Sequence, residues 1–259
     1  MATSAVPVYA GPVFPGLRPF RPDEKILFFG REEQTDELLR RLEDTRFLAV
    51  VGLSGTGKSS RVQAGLVPAL EHGSPADSSA HWRVATMKPG LDPLGAIVKS
   101  LNDALGESAV RGALLRSGRL GLVDTARIGR EPQENLLLVV DQFEELFRFQ
   151  RDRSARANEA QEFVALLLAT TQEYSHDYRI YIVLTMRSDY LGECARLTGL
   201  VQALNEGQYL TEPMTRIQLK DVVEGSAGLG GVTVDADLLD ALLDKAVGQQ
   251  DQLPYRSIG

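Results

Sequence analysis

The sequence predicts an α/β protein, a three-layer sandwich with helices on both faces of a parallel sheet, and three observations predict it. Phe47 to Ser60 reads FLAVVGLSGTGKSS, a short apolar run that breaks into a Gly-rich loop and then a helix. Leu136 to Val140 is five apolar residues running into Asp141, and Arg179 to Thr185 (RIYIVLT) is a third strand-like run. A parallel strand covered on both faces reads as a continuous apolar run, whereas a half-solvated strand alternates, so these are buried strands.

The elements follow in order. Met1 to Arg21 is rich in Pro, Gly and small residues and reads as an extended arm, too short for a domain. Ile26 to Gly30 (ILFFG) precedes an amphipathic helix from Glu32 to Leu42; it reads equally as a buried strand end and as an apolar wall for an adenine ring. After the Gly-rich loop a helix runs from Ser59 to Leu70, His72 to Ala80 is a loop, and Trp82 to Met87 is a second strand. Asp92-Pro93 starts a helix to about Leu105, because Asp caps free N–H groups and Pro suits the first turn. Gly106 to Asn135 reads as two short helices and a loop without chemistry. Beyond the third apolar run, Glu159 to Tyr174 and Tyr190 to Gly207 look helical and Gln208 to Thr211 is a short strand. Thr215 caps a helix to about Glu224, Gly225 to Gly231 (GSAGLGG) reads as a flexible turn, and Asp235 to Val247 is an amphipathic helix. The expected organisation is an arm over 1–21, a core over 22–212 and a partial helical lid over 213–259.

Composition excludes several classes. The chain has 259 residues, 43% hydrophobic, enough to bury a full core. A net charge of -7 argues against a broad nucleic-acid or anionic-membrane surface, and no apolar stretch approaches the ~20 residues of a membrane span. Cys194 is the sole cysteine, so a reducing compartment is expected, and the cytoplasm follows. His72, His81 and His176 lack metal-ligand spacing.

The chemistry lies at the ends of the apolar runs. Gly52, Gly57, Lys58 and Ser59 satisfy G-x-x-x-x-G-K-[ST] in strand–loop–helix context, which marks a P-loop. Its residues Gly52, Ser54, Gly55, Thr56, Gly57, Lys58, Ser59 and Ser60 are read as the phosphate cradle. Glycines let backbone N–H groups close around phosphates, the new helix turns its positive end to them, Lys58 adds a mobile charge, and Ser59 is placed to hold Mg²⁺. Asp141, at the end of its strand, lies where ligands bind in open α/β sheets and can reach the same magnesium shell. Glu144 and Glu145 follow within one turn, and either can orient or deprotonate water; an ordinary acidic first helical turn is the other reading of both. Arg187, after the third run, faces a terminal phosphate or pairs with Asp189. Arg148, Arg151, Arg153 and Arg156 read as a solvated face rather than an arginine finger.

These motifs resemble the bacterial novel STAND NTPases of the first group, relatives of the NACHT and apoptotic ATPases in the AAA+ branch. The likeness covers nearly the whole chain: VFPGLRPF at Val13 to Phe20, FFGRE at Phe28 to Glu32, GLSGTGKSS at Gly52 to Ser60, VVDQFEELF at Val139 to Phe147, and MRSDYL at Met186 to Leu191. The resemblance implies a P-loop NTPase core of the ASCE/AAA+ kind, with a five-stranded parallel sheet in the order 5-1-4-3-2. It also implies Gly30 and Arg31 near the base, Lys58 and Ser59 on phosphates and Mg²⁺, Asp141 on Mg²⁺, Glu144 or Glu145 on water, and Arg187 as sensor. Such proteins continue past Leu253-Pro254 into a winged-helix lid, where this chain reads Tyr255 to Gly259, so the lid is expected to be truncated; Ser226 stands where a proline is common. The expected ligands are ATP and ADP, with protein partners or self-association on activation. The expected function is a slowly hydrolysing ATP switch in bacterial signalling or antiphage defence. The alternatives are a non-hydrolysing ATP-dependent interaction module or a truncated form of a larger STAND protein, and a small-molecule kinase for which no acceptor pocket is legible.

Overall fold

The computed structural model describes residues 18–71, 81–131, 133–148, 155–172 and 179–250, with the backbone alone at 155–157 and 247–250. The expected loop at His72 to Ala80, most of the arm, Arg151, Arg153, the Arg156 side chain and the chain's last nine residues lie outside them.

Five strands form one sheet: β1 (Phe47–Gly52), β2 (His81–Met87), β3 (Glu134–Val140), β4 (Ile180–Arg187) and β5 (Gln208–Leu210). Every pairing is parallel and the order is β2-β3-β4-β1-β5, the expected 5-1-4-3-2 read from the other edge. The apolar runs are central strands because each face is covered, and side-chain alternation sorts them between two cores. On one face Leu48, Val50, Leu137, Val139 and Val183 pack under α1 (Glu32–Thr45) and α2. The opposite-facing Ala49, Val51, Leu138, Ile182 and Leu184 pack under α3 (Pro93–Leu105), α4 (Arg111–Leu115), α5 (Gly121–Arg127) and later helices.

Helix α2 runs on from the Gly-rich loop as Lys58–Ser60, a π-helical segment Arg61–Leu66, and Val67–Glu71. The π segment admits Phe28: a Cβ on Gly65 would lie 2.9 Å from that ring. Such bulges cluster at functional sites. Asp92 caps α3 as expected, accepting from the Gly95 N–H at 2.8 Å.

After β3 come α6 (Glu145–Arg148) and α7 (Ala155–Gln172), the latter starting four residues earlier than the apolar pattern suggests. Three sequence expectations fail. Pro22–Leu27 is a 3-10 helix followed by irregular backbone, so ILFFG is not a strand end. The stretch from Tyr190 to Gly207 is broken into α8 (Leu191–Cys194) and α9 (Leu200–Gly207), because Gly199 turns left-handed (φ 84°) to start the second helix. Conversely, Gly225 to Leu229 is not a turn: α10 runs Arg216–Leu229 straight through the glycines, and α11 (Ala236–Gln250) packs on it through Arg216 ion pairs with Asp240 and Asp244. Gly225 serves close approach, since a Cβ there would sit 2.8 Å from the Phe29 ring. Among the described residues no helix is long and apolar enough to cross a membrane.

Candidate functional site

Parallel register brings every strand's C-terminal end to one edge of the sheet, and the predicted residues meet there. Gly52 pairs with Arg187 across β1 and β4, and Val140, one residue before Asp141, pairs with Leu184 across β3 and β4. Between them lies a cavity of about 650 Å³ lined by Ser54, Lys58, Ser59, Glu144, Thr185 and Arg187, among others.

The loop between β1 and α2 keeps its shape by local geometry. Gly55 and Gly57 hold φ of 79° and 78°, with nothing near a hypothetical Cβ, so backbone conformation rather than crowding calls for glycine. The Lys58 ammonium folds back over the loop and donates to the Gly52 and Leu53 carbonyls at 3.1 and 2.7 Å. Burial lowers its pKa, and the neighbouring carboxylates of Glu144 and Asp141 oppose that shift.

Asp141 is 2% exposed, and its Oδ1 accepts from Ser59 Oγ at 2.5 Å and from Thr185 Oγ1 at 2.7 Å. Ser59 and Asp141 thus form a hard-oxygen pair at the cavity. This suits Mg²⁺, which takes one or two protein oxygens and completes its octahedron with phosphate oxygens and water. Thr185, which the sequence did not single out, steers this pair: its hydroxyl also accepts from the Gln142 N–H at 2.9 Å. Gln142 is held at φ 57°, unusual for a non-glycine, and such backbone concentrates at working sites.

The two glutamates separate. Glu144 is 7% exposed, lines the cavity, and accepts from the Arg187 N–H at 3.4 Å. Glu145 opens α6 and turns away, accepting from the Gly90 N–H at 3.2 Å. Arg187 lines the cavity while its guanidinium holds Asp189 at 2.6 and 3.0 Å, the pairing its second reading named, which raises its pKa and lowers that of Asp189. Arg148 is exposed.

Ser60 and the arm close one wall, for the Phe20 N–H donates to Ser60 Oγ at 3.2 Å. Arg18, Pro19 and Phe20 line the same cavity, contacts that the arm's composition did not reveal although its GLRPF motif marked the place. Arg18 is paired with Glu24, whose carboxyl the Arg18 guanidinium and the Arg21 N–H hold at about 2.

Adjoining the P-loop at Gly57 and Ser60 is a second, smaller cavity of about 110 Å³, walled by Leu27, Phe28, Phe29, Met214 and Val222. Leu27, Phe28 and Phe29 of the ILFFG stretch thus wall a cavity. Gly30 (φ 72°) backs onto α10, with its missing Cβ 3.1 Å from the Gln218 carbonyl. Arg31, 3% exposed, lines this cavity rather than the phosphate one and reaches the Glu212 carbonyl at 3.4 and 3.5 Å. Arg61, at the start of the π segment, was not anticipated and lines it too. Among the described residues no cluster of three or more His, Cys, Asp or Glu side chains could hold a metal by itself.

Residues 13–257 match the family described as Novel STAND NTPase 1. No curated protein matches the sequence. Among solved structures, the chain is similar to the Aeropyrum pernix ORC1 protein in complex with DNA, with a TM-score of 0.57 and 18% identity over 88% of this chain and 58% of that one. It is similar to the Aeropyrum pernix ORC2 protein in its ADPNP-ADP complexes (TM-score 0.53, 17% identity, 77% of this chain and 52% of that one). A third is the Walker-type ATPase PABY2304 of Pyrococcus abyssi (TM-score 0.51, 13% identity, 88% and 66%). At these identities the likeness is one of fold, and the chain spans about half to two thirds of the length of those proteins.

Proposed function

The chain belongs to the novel STAND NTPase 1 family, and from that premise we propose that it is an ATP-binding, slowly hydrolysing regulatory switch domain of the cytoplasm, acting in bacterial signalling or antiphage defence. One observation carries the reading: Ser59, which lines a cavity together with Lys58, Glu144 and Arg187, has its Oγ 2.5 Å from Asp141 Oδ1. In this reading the cradle over Gly52 to Ser60 holds the phosphates of ATP through backbone N–H groups, and the Lys58 ammonium moves from the loop carbonyls to the β- and γ-phosphates. Ser59 and Asp141 would hold Mg²⁺, which would supply charge neutralisation to the phosphates. Glu144 orients the attacking water and accepts its proton as the water oxygen bonds to the γ-phosphorus and the bond to the β-phosphate oxygen breaks, leaving ADP and phosphate. Arg187 offsets charge on the transferring group. Since Asp189 grips that guanidinium, part of the ion pair must be exchanged for the phosphate, which supports a slow rate.

The same ion pair favours a second reading, a module that binds ATP and a partner protein without turnover, with Arg187 kept by Asp189 throughout. We assign no nucleic-acid role, given the net charge of -7. The test is Lys58→Ala: folded variant protein that keeps the parental affinity for Mg-ATP in calorimetric titration removes the central claim. Multiple-turnover phosphate release by the parent, without added acceptor, separates the switch from the module.

A further inference from the structure

The smaller cavity holds a group that its apolar walls do not explain. Arg61 is 1% exposed, and its Nε and Nη1 have no hydrogen-bond partner among the described residues. Its guanidinium lies over the Tyr209 ring, 5.7 Å from the centroid, and Arg31 stands close enough to add a second positive charge. Burial first, then Arg31, push the Arg61 pKa down to about 10, with Tyr209 and the Glu212 carboxylate opposing. A buried charged donor without an acceptor is among the costliest things a core can hold, and a Met or Leu of similar volume would remove that cost. The group therefore calls for an acceptor from outside the described residues. A guanidinium only donates, in a planar fork, so its ligand must present an acceptor lone pair roughly in the plane of a flat body that fits between Phe28, Phe29 and Val222.

We propose that Arg61 is a specificity-determining residue of the base pocket, its unpartnered donors taking a ring-nitrogen acceptor of the purine of ATP. This rests on the reading of the site as an ATP site and extends it to the base. Arg31, already turned to the Glu212 carbonyl, lines the same cavity.

The experiment titrates the parent, Arg61→Met and Arg61→Lys with Mg-ATP and with its 1-deaza, 3-deaza and 7-deaza analogues, each lacking one ring acceptor. Melting temperatures of the unliganded proteins are recorded alongside. A charge-assisted hydrogen bond leads to the expectation that Arg61→Met weakens ATP binding about tenfold or more. One analogue should bind the parent correspondingly more weakly, yet bind Arg61→Met as well as ATP does. Arg61→Lys, which keeps the charge without the fork, falls between. The melting temperature of unliganded Arg61→Met is expected to equal or exceed the parent's, because relief of two buried, unpartnered donors outweighs the contact with the Tyr209 ring. Parent protein that binds all three analogues as tightly as ATP overturns the proposal without needing any variant. So does an Arg61→Met loss of the same factor for ATP and every analogue. A parent that binds no ATP at all takes down the functional reading and this inference together, whereas ATP binding without coupling to Arg61 takes down this inference alone.

Discussion

Replacing each of the paired glutamates in turn exchanges two phenotypes that the structure has separated. Glu144 lines the larger cavity at 7% exposure and, among the described residues, accepts a weak hydrogen bond from the Arg187 N–H at 3.4 Å. Glu144→Gln retains an oxygen for that contact, so folding stability is expected to change little, while the carboxylate we propose as the base for water loses its basicity. General-base contributions of 10²–10⁴ set the expected loss of turnover at roughly 2.7–5.5 kcal/mol of barrier, with ATP affinity kept. Glu145 accepts from the Gly90 N–H at 3.2 Å, away from that cavity. Glu145→Gln turns a charge-assisted hydrogen bond into a neutral one, a difference of about 1 kcal/mol, which at this chain length is about 2–4 °C in melting temperature. Its turnover is expected to match the parent's. The assay is steady-state phosphate release with thermal melts on the same preparations. Dead Glu145→Gln beside a fully active Glu144→Gln would reverse the assignment, and parental turnover in both would remove either carboxylate from the chemistry.

Gly225→Ala places a methyl group 2.8 Å from the Phe29 ring, and the ring must move into the smaller cavity. The helix gains ~1 kcal/mol of propensity, so stability should hold while nucleotide affinity drops on the order of tenfold by overpacking; unchanged affinity in a fluorescent-nucleotide titration removes Phe29 from the pocket. For Glu24, the folded carboxyl sits at about 2 against an ordinary 4.5, so its stabilisation is complete above pH 4.5 and lost as pH falls toward 2. The melting-temperature gap between the parent and Glu24→Gln is therefore expected to narrow from pH 5 to pH 3, and a gap constant over that window contradicts the ion pair with Arg18.

Much of the fold was legible because its determinants are local. An apolar run followed by glycines and Gly-Lys-Ser specifies a strand, a phosphate loop and a helix within fourteen residues, and both capped helices, at Asp92 and Thr215, begin where their side chains satisfy the first free N–H groups. Breaks and continuations were less legible. Gly199 starts a helix by turning left-handed, while Gly225 sits inside another with an aromatic ring from a distant segment against it; only the tertiary setting tells the two apart.

By itself, then, the sequence determined the layers, the strand run-ups and the place of Lys58, Ser59 and Asp141 beyond the strand ends, since each rests on periodicity or on a motif that acts over a few residues. Tertiary structure decided which glutamate lines the larger cavity, that Thr185 steers Asp141, that Phe28 and Phe29 wall a smaller one, and that Arg61 is buried there with two donors unpartnered among the described residues. Those outcomes depend on strand register and on which side chains converge from positions tens of residues apart, and side-chain direction at a site is set by packing that no local pattern encodes.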